Sequence, residues 1–169
     1  AINPGNRGGA LVNKSGELVG INTAILSRTG SYTGYAFAVP IDLVRKVVDD
    51  LVKHGIVQKG IFGGRVIEYD FQNAKKYDLN TNVKNFKGVL LESLDRDGPA
   101  MKAGLQLGDV ITKVNNTEVN SQSAFEEELA YRYPGDKVSI TYVRDNKPGT
   151  TTVTLTNKKG TTDIVKREI

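Results

Sequence analysis

Cysteine is absent from this 169-residue chain, and several other signals are missing as well. Without thiols the protein can form no disulfide, no cysteine nucleophile and no thiolate metal site. No run approaches the roughly 18 consecutive apolar residues that a membrane helix needs, and no signal peptide is visible. The basic residues form no stripe and have no aromatic platform beside them, which argues against a nucleic-acid partner. We expect no membrane span, and nothing in the sequence indicates a metal or another cofactor.

The composition is that of a folded protein. Hydrophobic residues make up 38% and charged residues 25% of the chain, so a packed core is expected. The net charge of +4 is spread over a mixed surface, and 18 glycines favour a turn-rich, β-containing fold. The length suits one domain, or a small domain plus part of another. Because the sequence starts abruptly in AINP, as if inside a fold, we expect it to be a piece of a longer protein.

The first third of the chain predicts three strands and a helix. Alternating and β-branched residues favour strands over 10–13, 18–25 and 35–39. Apolar residues at helical spacing predict a helix over 42–54, which Gly55 can end in a left-handed conformation. One helix and three strands cannot enclose a complete core, so this segment is expected to need preceding chain.

The pattern restarts after a predicted linker at 56–60 and indicates an α+β unit of about a hundred residues, large enough to fold alone. A helix over 123–131 would begin at Ser123, with Glu126 three residues later as a possible capping box. The residues from 158 to 169 are polar and indicate a tail or a further linker. The other predicted elements are helices over 71–77 and 99–103 and strands over 64–68, 88–94, 109–114, 137–144 and 150–155.

A glycine-rich turn near the start carries the first functional signal. Residues 1–13 read AINPGNRGGALVN. A phosphate-binding loop would need Gly-Lys-Ser/Thr followed by a helix, whereas here a strand follows. A purely structural glycine turn is a second alternative. The segment closely resembles the nucleophile motif AINPGNSGGPLVN of HtrA-type (Deg-type) trypsin-like proteases. The resemblance continues through GELVGINTA at 16–24 and GYAFAVP at 34–40.

This resemblance assigns roles to several residues. Arg7 occupies the position of the nucleophilic serine, and the Gly5 N–H an oxyanion-hole position. The substrate side-chain pocket would be walled by Ile21, Asn22, Thr23, Tyr35 and Ala36.

The substitution at Arg7 removes the chemistry that the turn would support. A guanidinium stays protonated and is not a nucleophile. The family's catalytic histidine and aspartate lie upstream of this turn, whereas the single histidine here, His54, lies downstream. We therefore predict that the chain is inactive as a protease. The arginine could be an engineered change in an active enzyme or the natural residue of an inactive homologue.

The rest of the chain resembles a PDZ domain of the permuted bacterial type that follows HtrA protease domains. KGIFGG at 59–64 is similar to the carboxylate-binding loop of that family. The segment 97–111, DGPAMKAGLQLGDVI, and the following VNNTEVNS at 114–121 match its other motifs. The implied fold is an α+β PDZ domain, preceded by a fragment of an all-β trypsin-like double barrel with its C-terminal helix.

The resemblance implies that a peptide adds as a strand beside residues 64–69, with its carboxylate held by loop N–H groups. We expect Phe125 and Leu129 to wall the groove, although both could belong only to the core. The predicted peptide-binding residues are Ile61, Phe62, Gly63, Gly64, Val66, Phe125 and Leu129.

The sequence thus predicts a piece of an HtrA-type serine endopeptidase of protein quality control. Residues 1–55 would be the protease fragment, 56–60 a linker, 61–157 the PDZ domain and 158–169 a tail or further linker. The expected partners are peptide or unfolded-protein C-termini, with a possible homo-oligomer in the parent, in a bacterial periplasm or cell envelope. The alternative is a natural pseudoprotease, or a chaperone or adaptor, whose only activity is peptide binding.

Overall fold

A computed structural model of the chain describes residues 5–25 and 36–167. Its internal contacts divide the chain into two compact units. The first reaches to Val57 and includes Arg167, and the second is Gln58–Lys166. We describe each unit by itself.

The first unit contains an antiparallel sheet in the order β1-β2-β3. Its strands are β1 (Ala10–Val12), β2 (Leu18–Ile25) and β3 (Ala36–Pro40). In the turn between β1 and β2, the Asn13 side-chain oxygen accepts hydrogen bonds from the N–H groups of Ser15 and Glu17. These strands match the prediction to within a residue, except that position 35, where the third was expected to begin, lies outside the described residues.

Helix α1 (Ile41–His54) ends as predicted, because Gly55 adopts a left-handed φ of 71° and donates to the Leu51 carbonyl at 3.0 Å. The side chains that this helix buries are not the ones that its apolar stripe predicts. The Lys46–Asp50 ion pair, 2.9 Å from Nζ to Oδ2, is buried, whereas Val48 and Leu51 of the predicted apolar stripe (Val44, Val47, Val48 and Leu51) are 50% and 49% exposed. Half of the apolar stripe that predicted the helix therefore faces solvent in this chain.

The second unit is built on a six-stranded antiparallel sheet. Its strand order is β4-β5-β6-β8-β9, and the short β7 pairs with β6. The sequence predicted every long strand, with boundaries shifted by up to three residues, but missed the two-residue β7. The strands are β4 (Gly64–Glu68), β5 (Val89–Leu94), β6 (Val110–Val114), β7 (Thr117–Glu118), β8 (Lys137–Arg144) and β9 (Lys147–Thr154).

Three helices accompany this sheet: α2 (Phe71–Lys76), α3 (Pro99–Lys102) and α4 (Gln122–Ala130). The predicted start of α4 is wrong. Ser121, not Ser123, is its N-cap, since Ser121 has extended backbone angles and its Oγ accepts from the Ala124 N–H at 3.1 Å. Ser123 already lies inside the helix, so it cannot form the predicted capping box with Glu126.

The β8–β9 connection is also tighter than predicted. Asp145 and Asn146 both have positive φ, 50° and 61°, and they form a two-residue hairpin turn of the kind that matches strand twist. Strand β9 therefore starts at Lys147 rather than at Thr150 and includes Pro148. A proline is tolerated there because β9 is an edge strand.

The core of this unit is formed by apolar residues of the sheet, of α3 and α4, and of the segments between them. Most are aliphatic residues of the strands, which explains why alternation in the sequence predicted them. The buried members are Phe62, Val66, Val89, Leu91, Ala100, Leu105, Ile111, Val114, Val119, Phe125, Val138, Ile140, Val153 and Leu155.

The ends of the second unit are tied together. The buried Gln58 side chain donates to the Val165 carbonyl at 2.7 Å and accepts from the Val165 N–H at 2.9 Å. Residues on both sides of the predicted 61–157 domain thus take part in its unit. The boundaries of the linker, domain and tail stay a prediction.

A buried carboxylate joins the glycine-rich turn before β6 to the end of β8. Asp109 is 1% exposed, and both of its oxygens accept from Arg144, each at 2.7 Å. Asp109 also accepts from the Gln106 N–H, while Arg144 donates to the Gly104 carbonyl. The hydrogen bond to Asp109 raises the pKa of the Arg144 guanidinium. This bidentate pair fixes the turn that precedes the central strand.

We predict that Arg144→Met destabilises the protein by about 3 kcal/mol, because it leaves a buried carboxylate without its counter-charge. Urea unfolding of the variant measures this loss. Arg96→Met is the matched control, since the Arg96 side chain is 95% exposed and its removal should cost less than about 0.5 kcal/mol. Equal stability of the two variants would contradict the role assigned to the pair.

Candidate functional site

The turn at Gly5 to Gly9 is held against β2. Asn22 makes two main-chain hydrogen bonds to it: its carbonyl accepts from the Gly8 N–H at 2.7 Å, and its N–H donates to the Gly9 carbonyl at 2.9 Å. Gly5 and Gly8 have positive φ, 104° and 81°, a conformation that favours glycine. Arg7 lies between them with its side chain exposed. The turn is therefore built to present the side chain at position 7.

The predicted pocket residues lie partly beside this turn. Ile21 pairs with Ala10 at the end of the turn, and Thr23 is the extra residue where the β2–β3 register shifts. The Thr23 hydroxyl donates to the Ile21 carbonyl at 2.9 Å. Ala36 is the first residue of β3, and Tyr35 lies outside the described residues. The structure thus brings Asn22 to the turn, and the pocket assignment stays a prediction.

The loop before β4 presents a row of main-chain donors. Its carbonyls are used: Phe62 accepts from the Ala100 N–H and Gly63 from the Asp95 N–H, both at 2.9 Å. In the described part of the chain, no group accepts from the N–H of Phe62 or Gly63. Successive free N–H groups around a residue of positive φ form a concave anion site, and Gly63 has a φ of 80°.

Two glycines of this loop are required by close packing. A Cβ on Gly63 would lie 2.6 Å from Pro99 Cδ, and a Cβ on Gly64 would lie 2.8 Å from the Ser93 carbonyl oxygen. The backbone at Gly64 therefore leaves no room for a side chain. The same close approach seats the loop on the start of α3.

Strand β4 is an edge strand of the sheet, with α4 among its neighbours. Because the Asp95 N–H bonds to the Gly63 carbonyl, Gly64 and Leu94 form a pair whose own main-chain groups point away from each other. The N–H and C=O of Gly64 therefore point to the open edge, next to the free donors of the loop. An incoming strand would meet unpaired main-chain groups at this edge.

The edge is closed at its far end by Glu68. The Glu68 carbonyl accepts from the Asn73 side chain at 2.8 Å, and its carboxylate accepts from the Gln122 N–H at 2.9 Å. The second bond links the end of β4 to the first turn of α4. The open part of the edge is thus confined to the region of Gly64 and Val66. No local pattern in the sequence points to Glu68, because its partners lie in different elements.

The predicted apolar walls lie in the core. Phe125 is 3% exposed, Phe62 and Val66 are equally buried, and the Phe62 and Phe125 rings meet edge to face with centroids 5.2 Å apart. Leu129 is half-buried against the same cluster. Ile61 lies beside β9, where it bridges to Thr156. The burial of Phe125 agrees with the alternative that it serves the core, whereas Leu129 and Ile61 keep accessible surface.

Comparison with known proteins identifies these units. The PDZ domain family matches residues 67–155, more than half of the chain. The chain belongs to the PDZ domain family. The trypsin family matches residues 1–48. The expected architecture, a short trypsin-like fragment followed by a PDZ domain, is confirmed.

The relatives are HtrA/DegP-type serine proteases. Over 156 residues the chain is 38% identical to the "Probable periplasmic serine endoprotease DegP-like" of Chlamydia trachomatis, covering 92% of this chain and 31% of that protein. The protein of the same name from Brucella suis is 39% identical over 163 residues, covering 95% and 31%. The chain therefore spans about a third of the length of these curated relatives.

Solved structures lead to the same group. The HtrA-type protease AlgW with a decapeptide superposes with a TM-score of 0.70 at 35% identity, over 93% of this chain and 47% of that one. The serine endoprotease from Yersinia pestis gives 0.58 at 32% identity, over 93% and 49%. The chain is thus homologous to these proteases in both of its units.

No helix in the described ranges is long and apolar enough to cross a membrane. Within those ranges, no cluster of three or more His, Cys, Asp or Glu side chains has the arrangement of a metal site.

A cluster of charged and polar side chains in the PDZ domain joins β4, β5 and the residue that follows α2. Tyr77 Oη donates to Glu92 Oε1 at 2.8 Å, and Arg65 forms an ion pair with Oε2. Because Oε2 is buried and lacks a well-aligned hydrogen bond, it depends on that charge. The Tyr77 hydrogen bond, followed by the Arg65 charge, holds the pKa of Glu92 below its ordinary value, although desolvation opposes them.

We predict that this cluster makes stability depend on acid pH. A folded-state pKa below the unfolded value means that the ionised Glu92 contributes stability above the unfolded pKa. That contribution is lost as pH falls through the folded pKa, from about pH 5 downward. Tyr77→Phe should raise the Glu92 pKa in a carboxyl-carbon NMR titration, and Glu92→Gln should flatten the acid limb of a stability–pH curve. An unchanged Glu92 titration in Tyr77→Phe would refute the assignment.

Proposed function

We propose that this chain is the peptide-recognition part of a periplasmic HtrA-type serine endopeptidase of protein quality control. Its PDZ domain binds peptide C-termini or unfolded segments, and the chain itself has no protease activity. The proposal draws on the relatives named periplasmic serine endoproteases and on the AlgW structure that contains a decapeptide. The observation that carries it is the row of N–H groups at Phe62, Gly63 and Gly64, which have no hydrogen-bond acceptor in the described part of the chain.

The binding mode follows from that row and from the β4 edge. A terminal carboxylate accepts hydrogen bonds from the loop N–H groups, and the preceding residue pairs with the main chain of Gly64. Because Glu68 closes the edge, the ladder that a peptide can form is short. The buried Phe62–Phe125 pair forms the floor of the groove, and Leu129 offers its accessible wall. Side-chain selectivity is therefore set near the terminal residue.

The absence of proteolysis is argued from the turn at Arg7. A serine enzyme needs a hydroxyl at this position and a base within hydrogen-bond reach. Arg7 supplies a permanent cation instead, and His54 lies at the end of α1, not beside the turn in the chain. The Gly5 and Arg7 N–H groups are then a relic of an oxyanion hole.

The alternative function is that of a natural pseudoprotease, chaperone or adaptor that works only by binding peptides. It is favoured by the same Arg7, provided that the natural gene encodes it. A homo-oligomer of the parent protein is likewise part of the proposal.

We predict that a peptide with a free hydrophobic C-terminus binds at least about tenfold more tightly than its C-terminal amide, since a charge-assisted hydrogen bond contributes about 1.5–3 kcal/mol. Fluorescence anisotropy with the two forms of one labelled peptide measures the ratio. Equal affinities would remove carboxylate capture from the proposal.

Gly63→Ala should abolish that preference, because its Cβ collides with Pro99 and tilts the loop donors. Gly104→Ala is the matched control: Gly104 has a similar φ of 86°, but a Cβ there meets nothing within 4 Å. The control carries the same backbone strain, about 1–2 kcal/mol, and should keep the preference for the free carboxylate.

We further predict that Arg7→Ser in this chain neither cleaves labelled casein nor reacts with a fluorophosphonate probe, because the serine has no base. In a longer chain that includes the upstream part of the domain, the same change should restore cleavage if the parent is an active enzyme. Restoration would favour the endopeptidase, and continued inactivity the pseudoprotease. Labelling of the short Arg7→Ser chain would refute the argument from the missing base.

A further inference from the structure

A large cavity lies at the other end of the sheet from β4. Its volume is about 780 Å³, and it opens between the edge of β9 and the segment that leads into α3. We call it the β9 groove. It is defined by Thr152, Thr154 and Thr156 on one side and by Gly98, Pro99 and Lys102 on the other.

On the side of the groove, alternate residues of β9 direct their N–H and C=O groups away from β8. Leu155 faces β8, since its N–H donates to the Asp136 carbonyl and its carbonyl accepts from the Gly135 N–H. In an antiparallel ladder the intervening residues point the other way. Ser139, opposite Thr152, confirms the alternation, because both its N–H and its carbonyl bond to Asn115 on the β6 side.

One residue already uses this edge. Ile61 donates to the Thr156 carbonyl at 2.7 Å and accepts from the Thr156 N–H at 3.2 Å, as one rung of an antiparallel pair. The next outward-facing residues are Thr154 and Thr152. In residues 5–25 and 36–167, no main-chain group pairs with their outward N–H and C=O groups. The edge can therefore form main-chain hydrogen bonds, but among the described residues only Ile61 pairs with it.

The charge around the groove is mainly positive. Its lining includes four basic side chains, among them Lys102 and Lys158, and two carboxylates, Asp95 and Asp97. Lys158 belongs to a loop that the buried Asn157 holds in place: the Asn157 side chain bonds to Thr161 Oγ1 at 2.7 Å and to the Lys159 N–H at 2.9 Å. The basic residues are thus set on a fixed loop beside an open edge.

We propose that the β9 groove is a second strand-docking site, which binds an extended polypeptide segment carrying carboxylate side chains. The main chain of the segment pairs with Thr152 and Thr154, continuing the rung that Ile61 begins. Its acidic side chains lie toward Lys102 and Lys158. The threonine hydroxyls and basic side chains along the groove suit such a segment better than a hydrophobic terminus.

This site is independent of the proposed function. The order of the sheet places β4 and β9 at opposite edges, so neither ligand occupies the main-chain groups of the other. A peptide blocked at both ends has no carboxylate terminus for the loop at Phe62 and Gly63. A negative binding result at one edge therefore does not count against the proposal for the other edge.

The test uses the full chain and an acetylated, amidated heptapeptide of alternating threonine and glutamate. Amide chemical-shift mapping should show perturbations at Thr150, Thr152 and Thr154 and none at Gly63 or Gly64. The matched peptide with lysine in place of glutamate should not bind. Affinity for the glutamate peptide should fall as salt is added.

Two variants separate charge from main-chain pairing. Lys102→Glu with Lys158→Glu should weaken binding about tenfold or more, whereas Lys84→Glu with Lys87→Glu changes the net charge equally and should not. Thr152→Pro removes an outward N–H without cutting the β8–β9 ladder, and a preserved amide spectrum elsewhere verifies its fold.

Several results would overturn the proposal. They are perturbations centred on β4, equal binding of the lysine peptide, and equal losses in the two double variants. Absence of any shift at β9 with the glutamate peptide would also reject it. Loss in Thr152→Pro with retained folding would support main-chain pairing rather than simple charge attraction.

Discussion

The contact between Gly63 and Pro99 is the constraint on which the proposed peptide site depends. The two segments approach so closely that a single added carbon would lie 2.6 Å from the proline ring. This approach seats the loop on α3, uses its carbonyls for the Ala100 and Asp95 N–H groups, and leaves the N–H groups of Phe62 and Gly63 without an acceptor in the described part of the chain. The polarity of the site is therefore set by packing rather than by charged side chains.

A second constraint holds the sheet that carries the loop. Asp109 is buried and would be costly to leave unpaired, so Arg144 and the Gln106 N–H together determine the turn before β6. Since β6 lies at the centre of the sheet, its placement positions β5 on one side and β8 on the other. Both open edges are thus positioned from the same central strand.

The sequence predicted the elements better than their contacts. Strands of alternating aliphatic residues and the helix ended by Gly55 were visible because their signals are local. The capping of α4 by Ser121 was missed because two serines compete within three residues, and only the backbone angles choose between them. The sequence left open whether Phe125 serves the groove or only the core, because its ring contacts Phe62, more than sixty positions earlier in the chain. The closing role of Glu68 likewise depends on Asn73 and Gln122, which no local pattern connects to it.

Pro148 has a further consequence for the way copies of this chain meet. An exposed strand edge can serve as a template on which identical molecules stack without limit. A proline near the start of β9 lacks the N–H that such stacking would need, and the Ile61 rung covers the edge at Thr156. Only a short stretch between them stays open. The open stretch is therefore long enough for the one short strand that we propose, but it does not offer the continuous ladder that a fibril needs.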